Sequence, residues 1–522
     1  MRKTYAGLDP LTGIFLEKHP DTCAAIPLSA WQKWYCLGVF VLLLFLLKFR
    51  WDLFIFFVCG YLMLLYAGAV IIRLSAAVLT LAGSGEIRIG KEELNAIDEK
   101  DLPVYTILIP LYKEPEIAAK IPERIGSMDY PKEKLDVKLL LEHDDPATLE
   151  VLQKMDLPRY FSIQIVPDAQ PKTKPRACNY GLAEAKGEFC VIYDAEDIPD
   201  PDQLRKAAAA FRRKSSGKIA CIQAKLNYHN SRQNWLTAFF TVEYTAYFDL
   251  ILAGWQRFDI PLPLGGTSNH FRTEVLKETG GWDPFNVTED CELGIRIYEH
   301  HWKTAVLDST TMEEANSALW NWIRQRSRWV KGFIQTHYAH FRNPLTVCRR
   351  LGVYGALGCC MSVGASALMM LTNLIFWPIT LFYMILVAHG LSHGETLASL
   401  LISDNAKPSA FRGLDLFGMN FTPWPLIYAG EGESPFWSAV SILFCILTVF
   451  LLFSNILLIL IHTAAVLKRR LYHLIPYSFL MPFYWVLISF GAWKGFLQFF
   501  TKPFYWEKTR HGLDMTGKRK TS

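Results

Sequence analysis

Phe189-Cys190-Val191-Ile192-Tyr193-Asp194-Ala195-Glu196-Asp197 is a short apolar run that ends abruptly in a cluster of acids. Such a run reads as a buried strand, and acids at its carboxyl end lie where α/β sheets keep their ligands. The pattern repeats outward from it. Tyr105–Ile109 leads into Tyr112-Lys113-Glu114, and Val137–Leu141 leads into Glu142 with Asp144-Asp145 close behind. Ser162–Val166, Ile219–Gln223 and Thr304–Leu307 are the remaining candidate strands. Between the strands, Glu116–Gly126, Arg176–Lys186 and Pro201–Arg212 carry helical spacing. The alternation predicts an α/β domain built on a mostly parallel sheet. One loop acid would be unremarkable, but acids follow three separate strands.

This polar stretch, 102–344, is flanked by apolar sequence. The 522-residue chain is 51% hydrophobic and 14% aromatic, rich for a soluble protein and ordinary for a membrane enzyme. A net charge of +5 is small for this length and gives no case for a nucleic-acid partner. The 11 cysteines show no C-x-x-C spacing and read as free thiols, neither a zinc site nor a disulfide framework. The first apolar run begins near Trp34, too late for a cleavable signal peptide.

Tyr35–Leu47 and Leu53–Ile72, parted by Lys48-Phe49-Arg50-Trp51-Asp52, predict a transmembrane hairpin. Lys48 and Arg50 in its outer turn run against the positive-inside bias. Beyond the polar stretch, Leu351–Ala367 is expected to lie at the interface and Leu371–Ala388 to span, with Asn373 and Pro378 as interruptions. Trp437–Leu467 is a further span, closed by Lys468-Arg469-Arg470. Tyr472–Phe500 lies between basic clusters and holds Pro476 and Pro482, which predicts a surface-lying or re-entrant helical pair. The expected organisation is an N-terminal segment with the hairpin (1–101), a cytoplasmic domain (102–344), interfacial and transmembrane helices (345–500) and a basic cytoplasmic tail (501–522). That makes a multi-pass protein of the plasma or inner membrane. No acid falls inside the four spans, which argues against a proton-coupled carrier.

Two further signatures follow the Asp194 cluster: Thr288-Glu289-Asp290, then Gln325-Arg326-Ser327-Arg328-Trp329. One carboxylate cluster suits a divalent cation, a second suits proton transfer, and a guanidinium beside an indole suits phosphate and sugar. In that order, beside a membrane, they point to sugar transfer from a nucleotide donor. Together with Ile109-Pro110-Leu111-Tyr112-Lys113-Glu114, they resemble the membrane-embedded, processive inverting glycosyltransferases with a GT-A fold, the family of cellulose, curdlan, mixed-linkage glucan, chitin and hyaluronan synthases. The resemblance covers about 102–344 and the flanking membrane plan. Leu264-Gly265-Gly266-Thr267-Ser268-Asn269-His270 and Trp506-Glu507-Lys508-Thr509 look most like bacterial β-glucan synthases. The implied fold is a nucleotide-sugar-binding GT-A domain inserted between transmembrane and interfacial helices.

The roles implied are specific. Asp194 and Glu196 would bind Mg²⁺ or Mn²⁺ on the donor diphosphate; the family pattern D-x-D is here D-x-E, so Asp197 competes with Glu196, while its plain reading is a helix N-cap. Asp290 would be the general base, with Glu289 and Glu292 as local competitors. Tyr112 and Glu114 belong to the substrate-binding set. Glu142 matches the acid that contacts uridine, with Asp144 or Asp145 as alternatives. Lys174 and Arg176 would reach the diphosphate, and Asn179 follows at family spacing; a solvated helix face is the bland reading. Gln325, Arg326, Arg328 and Trp329 would hold phosphate and acceptor sugar, against a juxtamembrane amphipathic helix as the alternative. Trp506, Lys508, Thr509 and His511 would fold back as a lid.

The expected function is export of a β-linked polysaccharide built from a UDP-sugar, UDP-glucose first, with the growing chain as acceptor, membrane lipid around it and accessory subunits as candidate partners. The rivals are a non-processive transferase that adds one sugar to a lipid carrier, and a non-catalytic partner subunit.

Overall fold

A computed structural model describes residues 8–83, 85–392, 394, 415–416, 419–420, 435–505 and 507. Its centre is one sheet made of β1 (Glu86–Ile87), β2 (Tyr105–Leu111), β3 (Leu135–Glu142), β4 (Phe161–Val166), β5 (Phe189–Ile192), β6 (Ile198–Pro199), β7 (Ile219–Tyr228), β8 (Asn269–Arg272) and β9 (Lys303–Glu313). The strand order is β1-β9-β7-β8-β5-β2-β3-β4, with β6 paired to β9. β2, β3, β4 and β5 pair in parallel, as does β7 with β9, whereas β8 runs antiparallel to both its neighbours.

Both faces of this sheet are covered, which is why its strands read as continuous apolar runs rather than alternating ones. Leu108 and Leu140 face the Lys174–Ala183 helix through Ala177 and Leu182. Ile107, Ile109, Val137 and Leu139 share the opposite face with Leu204, Ala207 and Phe211 of the Gln203–Arg212 helix. Gly181 sets the first spacing: a Cβ there would lie 2.8 Å from Leu108 and 2.9 Å from Leu140.

The sheet departs from the sequence expectation in instructive places. β7 and β9 run on to Tyr228 and Glu313, past the expected ends at Gln223 and Leu307. Their extensions are polar, and they are held by mutual pairing and by Lys225, which forms ion pairs with Glu86 (3.1 Å), Asp249 (3.4 Å) and Asp308. β8 starts within the Leu264–His270 motif and is not among the expected strands; four residues of mixed polarity carry no period of their own. The Glu116–Gly126 helix is two short pieces, Pro115–Ala118 and Ile121–Gly126, each with proline in its first turn.

Among the described residues, four helices are long and apolar enough to cross a membrane: Ala30–Phe49, Phe56–Leu81, Trp235–Phe258 and Pro344–Leu374. Trp235–Phe258, which the sequence reading did not single out, is mostly packed inside the protein; an all-round apolar helix is what a buried position requires. The expected break between Leu351–Ala367 and Leu371–Ala388 is absent. Helical structure runs from Pro344 to Ser392 through a π-turn at Cys360–Gly364, and Pro378 sits inside it. The one non-helical residue is Gly352, at φ +69°, a conformation glycine adopts at little cost. The Pro435–Lys468 helix covers the expected 437–467 span, and Tyr472–Phe479 meets Met481–Thr501 at 69°, the bend of either a broken span or a re-entrant loop. The lid residues Trp506, Lys508, Thr509 and His511 lie outside the described residues, as does most of the tail.

Candidate active site

A cavity of about 620 Å³ opens at the carboxyl ends of the parallel strands and continues between the long apolar helices. Tyr112, Glu114, Glu142, Lys174, Asp194, Glu196, Asp290, Gln325, Arg326, Arg328 and Trp329 all line it, although they come from six separate parts of the sequence.

On the strand side, Lys174 begins its helix beside the Asp194 cluster. Its Nζ donates to Asp194 Oδ1 at 2.5 Å and to the Gly266 carbonyl at 2.8 Å. Burial works against the ammonium, but Asp194 and Glu289 outweigh it and hold the pKa well above the ordinary lysine value. The Asp194–Asp197 turn is closed by Asp197, whose carboxylate accepts the Asp194 N–H at 2.8 Å and the Thr267 hydroxyl. Asp197 is therefore not the N-cap expected of it: the next helix starts only at Gln203. Asp194 and Glu196 face the cavity, while Asp197 points into the protein.

The acids here fit a divalent cation. Burial, then repulsion from Asp194 and Glu196, pushes Asp197 well above the usual carboxylate range, and one of its buried oxygens has no hydrogen-bond partner. Glu313, at the end of β9, is raised by burial and by the same three acids. Lys174 is the cation set against this group. Among the described residues no three His, Cys, Asp or Glu side chains converge as a ready cage, so a cation would draw most of its shell from diphosphate oxygens and water.

Across the cavity, Glu289 and Asp290 open the Glu289–Glu299 helix, whose free N–H groups and dipole favour negative charge. Asp290 Oδ1 accepts the Cys291 N–H at 2.7 Å. The Gly265-Gly266 loop brings backbone beside it: a Cβ on Gly266 would stand 3.4 Å from Asp290 Oδ2. Burial raises both carboxyls, Glu289 to about 7 with help from Asp290, while Lys174 and Arg328 pull in the other direction. Glu292, the third local candidate, is out of reach: it pairs with Arg296 at 2.7 Å on the far side of the helix.

The Leu319–His340 helix supplies the opposite wall. Gly491 and Gly495 let the Met481–Thr501 helix press against it; a Cβ on Gly495 would lie 2.4 Å from the Ser327 carbonyl. Arg326 is committed: it grips Glu243 with both nitrogens, one at 2.8 Å, and donates to the Tyr484 hydroxyl at 2.8 Å. Arg328 faces Glu289, Asp290 and Asp194, whose charges offset its burial only in part. Trp329 stacks on Tyr244 with centroids 6.0 Å apart.

Three companions of these residues turn out to be structural. Arg176 is fully buried and holds Glu142 at 2.9 Å, so it is neither a solvated helix face nor aimed at a diphosphate. Asn179 bonds the backbone of Trp282 on both sides. Asp145 caps the Pro146–Gln153 helix and accepts from Lys113 N at 2.5 Å. Sequence reasoning missed Glu243, Glu313 and Arg73, which also line the cavity. Glu243 had a signal, being the only charged residue of the Trp235–Ala246 helix.

Residues 103–332 match the family described as glycosyltransferase like family 2, so this part of the chain is a glycosyltransferase family 2 domain. The "Probable glycosyltransferase YdaM" of Bacillus subtilis is 27% identical over 239 residues, 45% of this chain and 56% of that protein. The beta-monoglucosyldiacylglycerol synthase of Synechocystis is 25% identical over 251 residues, 46% of this chain and 50% of that protein. The chain thus spans about half the length of the curated relatives it matches. Among solved structures, the mannosyltransferase PcManGT from Pyrobaculum calidifontis, in complex with GDP-Man and Mn2+, aligns with 65% of this chain and 92% of its own at 17% identity and a TM-score of 0.44. S. aureus TarS 1-349 in complex with UDP-GlcNAc aligns with 56% of this chain and 93% of its own at 16% identity and a TM-score of 0.30.

Proposed function

We propose that the chain is an inverting glycosyltransferase that moves a sugar from a UDP-sugar, glucose first, to an acceptor held at the membrane. The observation that carries this reading is the single cavity joining the Asp194 cluster, Asp290 and the apolar helices. Asp194 and Glu196 would hold Mg²⁺ or Mn²⁺, which would supply charge neutralisation to the departing diphosphate. Lys174 and Arg328 add fixed positive charge from two walls of the cavity. Asp290 takes the acceptor hydroxyl's proton as the new bond forms at the anomeric carbon and the bond to UDP breaks, so an α-linked donor yields a β-linkage. Tyr112, Glu114 and Glu142 stand on the nucleotide side. Gln325 and Trp329 face the acceptor, the indole offering an apolar surface to a sugar ring.

A growing β-polysaccharide is the first acceptor in this reading, leaving between the long helices. The second is a lipid that receives one sugar; the name of the Synechocystis relative and the apolar lining by Met369, Leu458 and Ile488 favour it. Membrane vesicles given labelled UDP-sugars, with and without Mg²⁺ or Mn²⁺, separate the cases. Long, metal-dependent polymer supports the polysaccharide reading, and short lipid-extractable product supports the lipid acceptor. UDP binding without turnover would sink both and leave a non-catalytic partner subunit.

A further inference from the structure

Arg73 has no place in the mechanism above, yet it lines the same cavity. The sequence reading ended the second span at Ile72. The helix instead continues from Trp51 to Leu81, which puts Arg73 inside it. Of its five guanidinium donors, one meets the Ser366 hydroxyl at 2.7 Å and another rests on the Met369 sulfur. Both partners are neutral. Among the described residues no carboxylate lies within ion-pair distance of Arg73. The acid on the neighbouring wall, Glu243, is already gripped by Arg326 and takes a further hydrogen bond from Tyr484 at 2.8 Å. A cation among apolar helices is costly unless something negative accompanies it. The negative charge that reaches Arg73 is that of Glu243, and Arg326 already shares it.

The depth of Arg73 narrows the choice of anion. The apolar part of its helix, Phe56–Leu81, has 26 residues and so measures about 39 Å at 1.5 Å per residue, longer than a hydrocarbon core of about 30 Å. Its Leu81 end is seated on the α/β domain: Thr80 donates to the Leu250 carbonyl at 2.8 Å, and a Cβ on Gly254 would meet the Ala76 backbone at 2.1 Å. Arg73 lies eight residues before that end, about 12 Å from it, so in a core of about 30 Å it stands nearer the domain-side boundary than the midplane. One more polar group stands nearby: the Ser362 hydroxyl, one turn before Ser366, is buried without a hydrogen-bond partner and its residue lines the cavity.

We infer that Arg73, with Ser366 and Ser362, is a binding site for the phosphate of a membrane lipid whose headgroup enters the cavity from the helix side. A guanidinium fork and the Ser362 hydroxyl suit the several oxygens of a phosphodiester, Ser366 steadies the fork by accepting from it while donating to the Ser362 carbonyl, and the apolar walls suit the glycerol and first acyl carbons. The inference borrows from the proposed function only the membrane position of the long helices; it does not need the lipid to be the sugar acceptor.

The test uses the full chain in neutral detergent, titrated with fluorescent short-chain phosphatidylglycerol and, separately, with the matching diacylglycerol that lacks phosphate. Phosphatidylglycerol should bind at least tenfold tighter. Arg73→Gln should remove that advantage, Arg73→Lys should keep most of it, and Ser366→Ala should weaken it by a smaller factor. UDP binding, measured on the same samples, should be unchanged in every variant and shows that they are folded. Equal binding of the two lipids, or undiminished phosphatidylglycerol binding by Arg73→Gln, overturns the site. Glycerol 3-phosphate displacing the lipid at comparable concentration would also overturn it, by making free phosphate the ligand. Absent UDP binding in the unsubstituted protein would instead count against the nucleotide-sugar reading, and the lipid result would stand by itself.

Discussion

The Glu289–Glu299 helix carries buried acids on two faces, and they meet opposite fates. Glu289 and Asp290 face the cavity with their carboxyls raised by burial and, for Glu289, also by Asp290. Glu292, one turn on, is equally buried, but the Arg296 fork at 2.9 and 2.7 Å and His340 at 3.3 Å outweigh burial and hold it far below the carboxylate range. The Glu292 face is a closed charge network: Arg296 also donates to the Thr279 carbonyl, and His340 bonds Glu299 at 2.9 Å. The cavity face has its counter-charges, Lys174 and Arg328, shared among several acids. Full pairing makes a buried acid a structural member. Incomplete pairing next to a cavity leaves it able to bind a cation or take a proton.

The sharpest way to break this contrast is one conservative change on each face. Asp290→Asn should lower sugar incorporation by about 10³-fold, within the usual reach of general-base loss, and leave melting temperature and UDP binding unchanged. Incorporation near the unsubstituted level would remove Asp290 from the chemistry and leave Glu289 as the candidate base. Glu292→Gln should do the reverse. It leaves Arg296 charged and buried without its acid and His340 with Glu299 alone, a loss of about 3–5 kcal/mol, seen as poor yield and a lower melting temperature. The molecules that do fold should transfer sugar at near-normal rates. If Glu292→Gln instead matched Asp290→Asn in both readouts, the division of the helix into two faces would be wrong.

The apolar strands and the acids at their ends were legible because burial on both sheet faces and ligands at strand ends leave simple marks in sequence. The two faces of this helix were not. Glu289, Asp290 and Glu292 are three acids in one turn, and only the positions of Arg296, His340 and Lys174, set by the folding of distant segments, tell them apart. Arg176 and Asn179 were illegible for the same reason: each looks like a surface polar residue, and each is consumed by a buried partner, Glu142 or the Trp282 backbone. Arg326 and Arg328, two residues apart on one helix, diverge because an acid hidden in the Trp235–Ala246 helix meets only the first. Arg73 was lost by a single residue, where the apolar run ends but the helix does not.

Rate profiles against pH probe the cavity face more finely. The Glu289–Asp290 pair titrates as a unit, so the acid limb of the transfer rate belongs to both groups. Removing the repulsion with Glu289→Gln should move that limb down by about one pH unit, and removing a counter-charge with Lys174→Gln should move it up by a similar amount. Shifts in the same direction for both variants would rule out the charge arrangement described here.

The smallest effect expected is on stability against pH, and there the two faces should separate by sign and window. Glu289 is an acid whose folded pKa, about 7, lies above its unfolded value of about 4.3, so its ionisation opposes folding. That cost is absent in acid and grows as pH rises through 7. His340 sits at about 9, because Glu299 and Glu292 outweigh its burial. A raised histidine gives its full stability below its unfolded value of about 6.5 and loses it as pH rises through 9. The melting temperature should therefore decline in two steps between about pH 4.5 and 9. Glu289→Gln should erase the lower step and leave the upper. His340→Gln should lower stability at pH 6 and flatten the upper step, because the group that discharges there is gone. A His340→Gln profile still falling from pH 7 to 9 would mean that another group carries the alkaline loss, and the charge network around Glu292 would then be weaker than its hydrogen bonds suggest.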